Sequence, residues 1–186
     1  MDAFMVSFFA IATAEMGDKT QLVALCLASH FRRPTPIILG IFAATLATQL
    51  AAVLVGEWIG FLLRGNLLHL LLALSFFGAA IWAFIPEKED GEQINMSHHG
   101  IFLTAFITFF LAEIGDKTQL ATVALAAQFQ SLIAVVAGTT LGIMAVNIPS
   151  VILSHAITER ISLKMVKIVS GILFAGLGVY ELAHLT

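Results

Sequence analysis

Charge is what this 186-residue chain has least of. Asp, Glu, Lys and Arg make up 11% of it, against about 25% in soluble domains. With 59% hydrophobic residues it lacks the polar groups for a water-soluble surface, so a lipid bilayer is its expected partner and solvent. It has one cysteine, Cys26, in an apolar run, which excludes an intramolecular disulfide and leaves redox compartment unread. It has no basic stripe for nucleic acid. No nucleophile–base pair, nucleotide loop or sizeable soluble segment points to an enzyme. The first residues, MDAFMVSFFAIATAEMGDK, lack a positively charged start and a small-residue cleavage site. They read as a retained membrane helix and not as a signal peptide.

What is present is a set of long apolar runs. A bilayer core about 30 Å thick needs about 20 helical residues, and six stretches qualify: Ala3–Ser29, Pro36–Leu63, Leu67–Ile85, Gly100–Ala127, Leu132–His155 and Leu163–Ala183. The expected fold is therefore all-α and integral to the membrane, with six transmembrane helices. Loops after spans one, three and five carry Arg32, Arg33, Lys88, Arg160, Lys164 and Lys167, and the other side carries Arg64. The positive-inside rule then places both termini on the non-cytoplasmic side. The short length, without a transit segment, suggests a bacterial inner membrane.

Sliding the sequence by 98 residues superimposes AEMGDKTQL, from Ala14, on AEIGDKTQL, from Ala112. The register continues through Gly40 on Gly138, Gln49 on Asn147 and Phe76 on Phe174. Residues 1–86 and 100–186 thus read as two repeats of three spans each, joined by a cytoplasmic linker, 87–99, that contains His98 and His99. An odd number of spans per repeat makes equivalent helices cross in opposite directions, the inverted arrangement common in secondary transporters. Gly56–Gly60 and Gly138–Gly142 have the small-xxx-small spacing of close helix packing, within the bundle or in a homodimer.

In a continuous helix Glu15 and Asp18 stand at i and i+3 and share a face, as do Glu113 and Asp116. Each intramembrane charge costs at least about 2.5–3.5 kcal/mol, so four carboxylates at one depth need compensation. Lys19 and Lys117 supply two positive charges, either as structural counter-ions or as tethered cations that fill the site when metal leaves. The sum is −4 + 2 = −2, which one divalent cation or two protons would cancel. A site that holds either, and opens to one side at a time, is a cation/proton antiporter. Thr20, Gln21, Gln49, Thr118, Gln119 and Asn147 are candidate neutral oxygen ligands or supports. An all-oxygen set favours Ca²⁺, Mn²⁺ or Mg²⁺ over Zn²⁺ or Cu⁺. Glu57, His155 and Glu181 lie near span ends and are expected to snorkel to the interface.

The doubled E-x-G-D-K-T motif in a short apolar chain resembles the Gdt family of cation/proton exchangers, which includes small bacterial manganese exporters and Golgi and thylakoid manganese or calcium transporters. The resemblance covers essentially the full chain. It implies export of Mn²⁺, or of Ca²⁺, in exchange for protons, with Glu15, Asp18, Glu113 and Asp116 as metal-binding acids and no resident cofactor. The residues alone leave three rivals: a divalent-cation channel, an exporter of small organic cations such as basic amino acids, and a non-transporting scaffold or assembly protein.

Overall fold

The computed structural model describes residues 2–63, 65–84, 100–153 and 163–185. The linker with His98 and His99, together with Arg64 and His155, lies outside the described residues.

Among the described residues eight helices follow one another: α1 (Ala3–Glu15), α2 (Lys19–Phe31), α3 (Pro34–Leu62), α4 (Asn66–Trp82), α5 (Ile101–Glu113), α6 (Lys117–Phe129), α7 (Leu132–Ile152) and α8 (Leu163–Ala183). The 98-residue offset carries α1 onto α5 and α2 onto α6 residue for residue. Local chemistry sets the boundaries. Arg32 and Gln130, also 98 apart, end α2 and α6 in the left-handed conformation, and their N–H groups close on the carbonyls of Ala28 and Ala126. Pro34 opens α3 at a position where its missing N–H has no helical partner to lose.

This corrects the expectation of six transmembrane helices in two inverted three-helix repeats. Among the described residues two helices, Pro34–Leu62 and Leu132–Ile152, are long and apolar enough to cross a membrane. The expected first and fourth spans are each broken at the acidic motif into two helices of 13 residues. At 1.5 Å per residue each piece is about 20 Å long, short of a bilayer core of about 30 Å. The expected third span shrinks to the 17 residues of α4. An orientation counted over six crossings loses its basis with them.

α1 packs along α7, α3 along α5 and α6, and α4 along α8, while α3 and α7 meet in the middle. Glycines set the approach. A Cβ on Gly40 would lie 2.6 Å from the Phe102 carbonyl, and a Cβ on Gly138 would lie 2.6 Å from the Phe4 carbonyl. Both members of the second contact are the first pair shifted by 98 residues. Gly56 and Gly60 press in the same way on α6, at Val123 and Ala127, and Gly142 presses on Phe8. The small-xxx-small pairs therefore serve packing inside the bundle. Phe76 and Phe174 are buried at matched positions of α4 and α8. Trp58, Phe61, Ile81, Ile133 and Ile172 point outward, each more than 60% exposed. Large apolar groups so displayed give the bundle a surface suited to membrane association.

Candidate metal centre

Each acidic motif is a helix break. α1 ends at Glu15, Met16 is extended (φ −64°, ψ 122°), Gly17 turns at φ 77°, and Asp18 caps the N-terminus of α2. The second copy repeats this: Glu113 ends α5, Ile114 is extended (φ −63°, ψ 122°), Gly115 turns at φ 74°, and Asp116 caps α6. Positive φ is where an L side chain is strained, so glycine is required at both turns. The Asp18 carboxylate accepts from the Lys19 N–H at 2.6 Å; Asp116 accepts from the Thr118 N–H at 3.4 Å and the Thr118 hydroxyl at 2.9 Å. Gln21 and Gln119 pin the turns, accepting through Oε1 from the N–H of Gly17 at 2.9 Å and of Gly115 at 2.8 Å. Glu15 and Asp18 therefore do not share a helix face. They meet because the chain folds back between them.

The two motifs meet through their lysines, which cross. Lys117 Nζ lies 2.7 Å from Asp18 Oδ2, and Lys19 Nζ lies 3.9 Å from Asp116 Oδ1. The first pair is buried, with side-chain exposures of 11% and 0%; in the second, Lys19 is 39% exposed. Glu15, Asp18 and Asp116, all buried, each offer a carboxylate oxygen within 4.8 Å of the others. Two oxygens on one ion at about 2.3–2.6 Å cannot be further apart than roughly 5 Å, so the three match one hard divalent cation in spacing.

Donors around the group are unequally shared. Glu15 Oε1 accepts from the Thr20 hydroxyl and, at 3.5 Å, from Asn147 Nδ2, while Glu15 Oε2 and Asn147 Oδ1 are buried without a hydrogen-bond partner among the described residues. Unsatisfied buried oxygens are unfavourable, and a cation would satisfy both. Glu113 is not part of the group of three. Its two oxygens accept from Thr45, at 2.9 Å, and from Thr48, both on α3. Of the neutral candidates, Gln49 accepts from Thr122 at 2.7 Å and Gln21 Nε2 donates to Ser150 at 2.8 Å. Thr45, Thr48, Thr122 and Ser150 were not anticipated. A signal for the first two existed: Thr45, Thr48 and Gln49 fall at helical spacing on one face of an otherwise apolar run. Their repeat equivalents are Ile143, Val146 and Asn147, so matching the halves hides the threonines.

Known proteins resemble this chain along most of its length. The family described as "Divalent cation/proton antiporter GDT1" matches residues 3–91 and again 101–185. A protein of Vibrio cholerae named a putative manganese exporter is 42% identical over 175 residues, 94% of this chain and 87% of the relative. A GDT1-like protein of Synechocystis is 31% identical over 194 residues, covering 94% and 93%. GDT1-like protein 3 of rice is 30% identical over 206 residues, covering 96% and 72%. No solved structure matches. Matched over almost its whole length, and carrying a buried acidic cluster at the doubled motif, the chain belongs to the GDT1 family of divalent-cation transporters, and is a transporter and not an enzyme.

Proposed function

We propose that the protein is a divalent-cation/proton antiporter of a bacterial inner membrane that exports Mn²⁺ from the cytoplasm by alternating access, with Ca²⁺ as a second cargo. Glu15, Asp18 and Asp116 are the first oxygen ligands, and Glu113 is the fourth acid, completing the charge balance. The observation that carries this reading is the pair of crossed lysine–aspartate contacts, which joins both motifs around three buried carboxylates. The manganese preference draws on the Vibrio cholerae relative and on the all-oxygen donor set.

Four carboxylates and two lysines sum to −4 + 2 = −2. One divalent ion, or two protons, brings the centre to neutrality. Because carboxylates bind metal only when deprotonated, arrival of the ion expels protons and arrival of protons expels the ion. Lys117 and Lys19 act within that exchange: each holds an aspartate oxygen of the opposite motif and yields it when the cation enters. Thr45 and Thr48 keep Glu113 apart until it is needed. Glu15→Gln and Glu113→Gln should each abolish manganese tolerance in cells that depend on this protein, at near-normal protein levels. Normal tolerance in both variants would refute the assignment.

A further inference from the structure

The end of the bundle opposite in chemistry to the carboxylate centre holds a cluster of imidazoles. His69 sits in the first turn of α4, and Tyr180 and Glu181 lie in the last turn of α8, with His184 just beyond it. Glu181 does not snorkel outward as expected: it is 1% exposed, and its Oε2 lies 2.8 Å from His69 Nδ1. His184 Nδ1 lies 3.0 Å from the Tyr180 carbonyl oxygen, an acceptor only. Opposite a carboxylate and a carbonyl, each Nδ1 carries the proton and donates it. In the neutral ring the lone pair is then on Nε2. Neither Nε2 has a partner among the described residues. The two rings are 6.0 Å apart between centroids, inclined at 37°. Two imidazoles on one ion, with metal–nitrogen distances of about 2.0–2.1 Å, bring their centroids to a comparable separation. The His69 side chain is 33% exposed and His184 is exposed, so an ion has access from outside.

From this we propose a second metal site, in which His69 and His184 bind a borderline divalent cation of the zinc class through Nε2. Glu181 orients His69 from behind, the carboxylate–histidine–metal relay found at imidazole sites. Water completes the coordination. Nitrogen donors separate this site from the oxygen-only centre, which suits Mn²⁺ and Ca²⁺. An ion here would tie α4 to the end of α8 where the two helices pack.

The test is Zn²⁺ binding to the full-length protein in detergent, by equilibrium dialysis, with excess Ca²⁺ present to compete at the carboxylates. The wild type should bind one Zn²⁺ that His69→Ala and His184→Ala each weaken at least tenfold. Glu181→Gln should weaken it about tenfold, and His98→Ala with His99→Ala should leave it unchanged. His184 is exposed, so His184→Ala should keep the zinc-free melting midpoint of the wild type and decides the matter if the other variants fold poorly. Undiminished Zn²⁺ binding in His184→Ala, or loss of that binding with the His98 and His99 changes, would overturn the proposal.

Discussion

The crossed lysines differ in a way that a stability measurement can read. Lys117 is 11% exposed, and its Nζ is 2.7 Å from an aspartate with no exposure. Removing one partner of a buried pair strands the other charge and costs about 3–5 kcal/mol. Lys19 is 39% exposed and 3.9 Å from Asp116. A pair with one solvated partner at that distance is worth about 0–1 kcal/mol. Lys117→Met should therefore lower the melting midpoint of the purified, metal-free protein by on the order of 10 °C, at roughly 2–4 °C per kcal/mol for a chain of this length. Lys19→Met should shift it by no more than a few degrees on the same scale. The cost of Lys117→Met is that of stranding Asp18, so adding Asp18→Asn should recover most of it. Thermal unfolding in detergent, followed by intrinsic fluorescence, gives all four midpoints. Equal losses for the two lysines, or no recovery on neutralising Asp18, would refute the claim that the motifs are held together by unequal crossed pairs.

Two further predictions concern the scaffold. Gly138→Ala places a Cβ 2.6 Å from the Phe4 carbonyl and must push α1 from α7, whereas a Cβ on Gly115 meets nothing within 4 Å and adds only backbone strain at φ 74°. Gly115→Ala should cost about 1–2 kcal/mol, and Gly138→Ala should cost more and lower the yield of folded protein; the reverse order in a melting series would contradict the packing described. Thr45→Val with Thr48→Val removes both donors to Glu113. A double-mutant cycle against Glu113→Gln should show a coupling of about 1.5–3 kcal/mol per hydrogen bond, and strictly additive losses would mean that the threonines merely pack.

The acidic centre was legible because the chain states it twice. Two copies of one motif, 98 residues apart in a sequence poor in charge, draw attention to Glu15, Asp18 and Asp116, which the structure brings together, and equally to Glu113, which stands outside that group. The helix break was missed because i and i+3 spacing is also what a continuous helix would use. Its signal lay in the same residues: a glycine, then Asp18 with Gln21 three positions on, is a helix start, and reading it so would have divided the first and fourth spans and turned six helices into eight. The crossing of the lysines was not legible, since sequence separation cannot say which aspartate a long side chain reaches. The different fates of Glu15 and Glu113 were hidden for the opposite reason. Identical motifs suggest identical surroundings, and the difference resides in Thr45 and Thr48, which the other half replaces with Ile143 and Val146.

The proposed exchange is tested most directly by recording Mn²⁺ and proton fluxes together in vesicles reconstituted with the purified protein. The account predicts that an imposed pH gradient drives Mn²⁺ against its own gradient, with protons moving the other way, and that Glu15→Gln stops both fluxes at once. Mn²⁺ moving only down its gradient, indifferent to pH and without proton counterflow, would contradict it and indicate a channel.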